Sequence, residues 1–175
     1  MPPIVRRIRA EEARAIKKLR LDALLDPAAD VAFLETRAQA EQRDDAFWQD
    51  RAVTGSGSTA VAQFVADAGD RLVGSVTVLR PEPGAQDYFG RPNPDGRAQM
   101  VAVFVADAHR GTGLIGELFA AGEEWAAGLG SLEFSLDTHV RNMRAQQAYR
   151  KLGYEPTGRT IHGPIGLEIE MLKRS

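Results

Sequence analysis

The chain has 175 residues, a net charge of −2 with acidic and basic side chains interspersed, and no cysteine. That length suits one domain over residues 1–175, burying about 70% of the surface its unfolded chain exposes, and the missing thiols exclude disulfides, cysteine nucleophiles and cysteine-based zinc sites. No basic stripe favours nucleic acid, no apolar run approaches the ~20 residues of a membrane span, and Met-Pro-Pro-Ile-Val-Arg-Arg lacks the apolar centre of a signal peptide, so a soluble cytoplasmic protein is expected.

Ile4, Arg6 and Ile8 with Val5 and Arg7 make a short, partly alternating strand, and Ala10-Glu11-Glu12 opens a helical run carrying Ile16, Leu19, Leu24 and Leu25. Asp26-Pro27 ends that run. Residues 28–38 read as irregular, and Gln39 to about Val53 as a second helix with Phe47 and Trp48 as buried anchors. Gly55-Ser56-Gly57-Ser58 reads as a turn or flexible loop. Thr59–Asp67 and Arg71–Leu79 are β-rich runs around Ala68-Gly69-Asp70, the pattern of an antiparallel hairpin. Pro81–Gly96 is a long, breaker-rich connection whose Tyr88-Phe89 pair either covers a substrate or sits in a solvent-exposed insertion.

Ala98–Val105 is the next strand, and Gly113 or Leu114 to about Gly128 its helix, with Leu118, Phe119, Ala121, Trp125 and Leu129 on the apolar side and Gly130 closing it. Leu132–Thr138 is a strand, Asn142–Leu152 a helix ended by Gly153, and roughly Tyr154–His162 and Ile165–Leu172 the final strands. A hairpin combined with one βαβ crossover makes the sheet mixed rather than purely parallel.

The chemistry concentrates where the strand Ala98–Val105 runs through a glycine-rich turn into a helix. Glycines there permit φ > 0 and close backbone approach, while the unpaired amides of the first helical turn face whatever lies in front of them, so the site suits a phosphate. Gly111, Gly113 and Gly116 satisfy G-x-G-x-x-G with Asp137 at the end of the next strand, which is the dinucleotide fingerprint. Against an NAD-type enzyme, Ala106–Arg110 separate strand from turn, the chain after Asp137 is too short for further βα units, and the upstream strands form a hairpin.

Arg110-Gly111-Thr112-Gly113-Leu114-Ile115 instead resembles the phosphate loop of the GNAT superfamily of N-acetyltransferases, whose pattern is Arg or Gln, two residues, Gly, one residue, then Gly or Ala. Ile115 departs from it, and Gly116 comes one place late. Downstream, Asn142, Ala145, Tyr149, Gly153 and Tyr154 reproduce the superfamily's second signature, N-x-x-A-x-x-x-Y-x-x-x-G-[FY], without departure. The resemblance covers residues 98–156 and, in element order, the whole chain.

The resemblance implies an α/β fold: a mixed, mostly antiparallel, twisted sheet with a splayed parallel strand pair, flanked by helices. It implies an N-acetyltransferase that moves the acetyl group of acetyl-CoA directly onto a primary amine of a small molecule and releases CoA, with a homodimer as a compatible assembly. The splayed pair would be Ala98–Val105 and Leu132–Thr138. Backbone of Val103, Phe104 and Val105 would bind the pantetheine arm and polarise the acetyl carbonyl, and amides from Gly111 through Thr112, Gly113, Leu114 and Ile115 to Gly116 would hold the pyrophosphate.

Each side chain in this scheme also has a plainer role. Arg110 adds charge at the pyrophosphate or forms a surface salt bridge. Tyr149 assists the departing sulfur, as a tyrosine does in the family, or packs as a core residue. Asn142 holds cofactor or caps its helix. Asp137 is the leading candidate for the base that deprotonates the amine, with His139 or a water chain as alternatives. Glu35 and Glu41 either bind a cationic acceptor or face solvent. His109, His139 and His162 have no metal-ligand spacing, so no metal is expected. A binding module for acyl-CoA without catalysis would keep the loop and not need Tyr149.

Overall fold

The computed structural model describes residues 1–87, 89–94 and 96–175. Its elements are β1 (Ile4–Arg7), α1 (Ala13–Ala23), α2 (Ala29–Ala32), α3 (Arg37–Glu41), α4 (Asp45–Gly57), β2 (Val61–Asp67), β3 (Leu72–Leu79), β4 (Arg97–Val105), a 3-10 turn at Asp107–His109, α5 (Leu114–Gly128), β5 (Glu133–His139), α6 (Met143–Lys151), β6 (Glu155–Gly163) and β7 (Gly166–Arg174). One seven-stranded sheet has the order β1-β2-β3-β4-β5-β7-β6. Every neighbouring pair is antiparallel except β4–β5. This is the mixed sheet expected of the fold, and it lacks the successive parallel βα units that a dinucleotide domain requires.

Three local expectations are corrected. The helix expected over Gln39–Val53 is two helices, because Thr36 and Gln39 form a reciprocal capping box that starts α3 early and Asp44 accepts from the Phe47 amide at 2.8 Å to start α4 afresh. Gly55-Ser56-Gly57 is not a turn but the end of α4. A Cβ on Gly55 would stand 3.0 Å from Gln63 Cβ and 3.1 Å from Ile8 Cγ2, so the glycine serves close helix–sheet packing rather than flexibility. Leu129, expected on the apolar side of α5, follows the last helical residue and is exposed.

Alternation along β2 divides the core. Ala62, Phe64 and Ala66 enter a cluster with α5 and with Tyr149 of α6, whereas Val65 enters a second cluster with Ile16 and Leu19 of α1, Ala40 of α3 and Trp48 and Ala52 of α4. Helices thus cover both faces. Among the described residues no helix is long and apolar enough to cross a membrane.

The feature that positions the site is the parting of β4 from β5. They pair in parallel only at Arg97↔Glu133, Ala98↔Phe134 and Gln99↔Ser135. On its other side β4 stays bonded to β3 as far as Val105, through a bulge between Val101 and Phe104 at which Ala102 adopts φ 52°. An extra residue on one strand increases local twist and bends it away from its neighbour. Residues 101–104, in the middle of a seven-stranded sheet, are therefore only half-buried.

Candidate active site

The gap between β4 and β5 opens into a cavity of about 970 Å³, at the upper end of the size of small-molecule sites. Val101–Val105 form one wall, Thr138 and His139 lie on the β5 side, the glycine turn is at the mouth, and α2 with its following loop closes the far end. Beyond Gln99 the edge of β4 that faces β5 has no strand opposite it, so its backbone is available to a ligand in the manner of an added strand. One group there is engaged: Val105 O accepts from Arg110 Nε at 3.0 Å.

At the mouth, Gly111 (φ 74°) and Gly113 (φ 91°) hold the turn in a left-handed conformation and direct it into α5. The amides of residues 111–115 make no hydrogen bond among the described residues; the next two, of Gly116 and Glu117, turn back to Gly113 O. A Cβ added at Gly111 or Gly113 would meet nothing within 4 Å, so open space lies before these amides. Ile115, the departure from the loop pattern, is partly buried against the core and also lines the cavity.

Arg110 lines the cavity and forms ion pairs. Its guanidinium pairs with Asp26 and, at 2.9 Å, with Asp107, while Arg144 reaches Asp26 at 3.3 Å. The contact ties the mouth of the gap to the end of α1.

Tyr149 is buried and stacks at 5.6 Å on Phe119 of α5. The residue lines the cavity, and its hydroxyl makes no hydrogen bond among the described residues. Burial pushes the phenol above its ordinary pKa, so it holds its proton throughout the neutral range. Asn142 caps α6 by accepting from the Ala145 amide at 3.3 Å, and it lines the cavity. Tyr154 is a core residue whose hydroxyl donates to Glu123 at 2.8 Å.

Asp137 is placed differently from a free base. Arg91, from the long 81–96 connection, grips both its carboxylate oxygens, at 3.0 and 2.6 Å, and also pairs with Asp87 at 2.7 Å. Burial pushes the Asp137 carboxyl upward and Arg91 opposes it. Asp87, Phe89 and Arg91 of the connection are thus held against the sheet, with Phe89 beside Gly163; Tyr88 lies outside the described residues. His139 has both ring nitrogens engaged, Nδ1 accepting from the Arg141 amide at 3.1 Å and Nε2 at 3.2 Å from Ile165 O, which clamps β5 to the turn before β7.

The side chain that sequence reasoning missed is Glu168. It lies opposite His139 in the β5–β7 register, is buried, lines the cavity, and makes neither a hydrogen bond nor an ion pair among the described residues. Desolvation, reinforced by the Asp137 charge and eased by Arg91, pushes its pKa up to about 7. The available signal was the alternation Leu167-Glu168-Ile169-Glu170-Met171, which sets two glutamates on one face of a strand flanked by β5 and β6.

The far end of the cavity is lined by Arg20, Glu35, Arg43 and Arg51 with Phe33 and Phe47. Glu35 pairs with Arg20 at 3.4 Å, whereas Glu41 pairs with Arg37 on the surface and does not reach the cavity. No group of three or more acidic or histidine side chains that could hold a metal occurs among the described residues.

The model of the acetyltransferase (GNAT) family matches residues 20–154. Comparison with curated proteins returns no match. Among solved structures, the PaiA N-acetyltransferase of Thermoplasma acidophilum in complex with coenzyme A superposes with a TM-score of 0.78 at 15% identity, covering 100% of both chains. The GNAT domain of S. lividans PAT gives 0.75 at 17% identity, over 98% of this chain and 89% of that one. YncA of Salmonella typhimurium, a putative acetyltransferase solved with acetyl-CoA, gives 0.67 at 16%, over 98% and 93%.

Proposed function

Since the chain belongs to the GNAT family of acetyltransferases, we propose that it transfers the acetyl group of acetyl-CoA directly to the primary amine of a small molecule. The observation that carries this reading is the β4–β5 gap ending at five unpaired amides, an opening with the shape and polarity to take an extended amide-bearing arm and a diphosphate. Acetyl-CoA would supply the thioester carbon. Residues 111–115 would hold its diphosphate, and the free edge of β4 its pantetheine arm.

The remaining chemistry belongs to this chain's own groups. An alkyl ammonium near pKa ~10 must lose a proton before it can attack, and Glu168, unpaired and with a pKa of about 7, is poised to take it. We assign the base to Glu168, with Asp137 held by Arg91 as the neighbouring charge that tunes it. As the N–C bond forms and the C–S bond breaks, negative charge would pass through the carbonyl oxygen, where a backbone N–H near Val103 would stabilise it, and then gather on sulfur. Tyr149 donates a hydrogen bond to that sulfur. A phenol near ~10, raised further by burial, binds its proton more tightly than a thiol near ~8.5, so stabilisation of the departing thiolate is its contribution; the second proton, shed by the nitrogen once its bond to carbon has formed, passes to solvent, which returns one to the sulfur.

The test is thiol release on mixing the protein with acetyl-CoA and a panel of primary amines, with acetylated product followed by mass. Release that depends on an amine and matches product one for one is the expected result. CoA binding without release on any amine would reduce the protein to a binding module.

A further inference from the structure

Resting on that reading, the geometry points to the class of acceptor: an amine that also carries an oxoanion, a carboxylate or phosphonate-type group, bound by Arg20, Arg43 and Arg51 at the far end of the cavity. Three guanidinium groups meet there against one carboxylate, Glu35, which lies 3.4 Å from Arg20. Arg51 forms no hydrogen bond or ion pair among the described residues, and its Nε is cut off from solvent without a partner. Arg43 likewise has no carboxylate and lies over the Phe47 ring at 4.6 Å; Arg20 lies over Phe33 at 4.9 Å.

An isolated desolvated guanidinium is costly, and neighbouring cations add to the cost. Burial, with Arg51 as a like-charged neighbour, lowers Arg20 to about 10, and burial also lowers Arg51. A planar oxoanion would relieve this cluster through the paired donor geometry of arginine. Arg20 and Arg51 also stand against Ala102 and Phe104, at the bulge beside which the acetyl group would lie. With Glu168 of β7 also lining it, the cavity carries a carboxylate for an amine as well as the guanidinium cluster for an anion.

Calorimetric titration of the CoA-saturated protein with 4-aminobutyrate, 3-aminopropylphosphonate and butylamine reads this site whether or not acyl transfer follows. At least one of the two acids is expected to bind at least 10-fold more tightly than butylamine, and the ranking of the two acids identifies the preferred oxoanion. Arg51→Met, which keeps length and removes charge, should weaken the acids roughly 10- to 100-fold, the value of a charge-assisted hydrogen bond, and leave butylamine and CoA unchanged. Arg43→Gln, at a more exposed position, serves the same purpose if Arg51→Met does not fold. Equal binding of acids and butylamine, or acid binding that survives both substitutions, would overturn the assignment. Absence of thiol release with acid binding intact would instead count against the transfer reaction alone.

Discussion

Tyr149→Phe is expected to lower kcat roughly 10²-fold, the cost of removing one donor aimed at developing charge, while the midpoint of thermal unfolding stays within about a degree of wild type. The two halves of this result have separate causes. The Tyr149 hydroxyl has no hydrogen-bond partner among the described residues, so its loss leaves nothing unsatisfied, and the ring stays stacked on Phe119. A purely structural tyrosine would leave kcat unchanged. The dissociation constant of CoA, measured alongside, should stay level, because the hydroxyl acts on sulfur only as charge reaches it.

Glu168→Gln should produce a larger loss in kcat/KM, roughly 10²- to 10³-fold, together with a change in pH dependence. In wild type the active form of Glu168 is the carboxylate, so kcat/KM falls as pH drops through about 7; in the variant that limb should vanish. Stability should move the opposite way. The folded-state pKa of Glu168 lies above the ordinary 4.5, so ionisation penalises the native state; the penalty is absent below about 4.5, grows with rising pH, and is complete above about 7. Glu168→Gln is therefore expected to unfold at a higher temperature than wild type at pH 8, with the difference shrinking toward pH 4.5. A variant that loses activity and stability together at pH 8 would mark Glu168 as a structural residue.

The parts of this site that lie within one local stretch were legible in the sequence. Strand, glycine turn and helix at 98–128 and the Asn142-to-Tyr154 signature are each written by spacing, because φ > 0 at Gly111 and Gly113 and the helical face shared by Asn142 and Tyr149 are local properties. The long-range pairings were not. Asp137 reads as a free carboxylate until Arg91 arrives from a connection whose path no periodicity describes. Glu168 becomes a base only because folding sets it, unpaired, beside Asp137 on an adjacent strand. Arg20 and Arg51 come from two helices packed together over the sheet, and on either helix alone each reads as an ordinary surface arginine. The misjudged helix boundaries have the same origin, since Gly55 looks like a breaker until Ile8 and Gln63 press against it.

Hydrogen exchange on adding CoA tests most directly whether the parted strands are a ligand site. Those backbone amides of residues 101–105 that turn away from β3 and the amides of residues 111–115 should become protected together, with little change along β1, β2 and β6. Protection confined to surface loops, or CoA binding that leaves both stretches exchanging as before, would show that the gap between β4 and β5 is not where the cofactor goes.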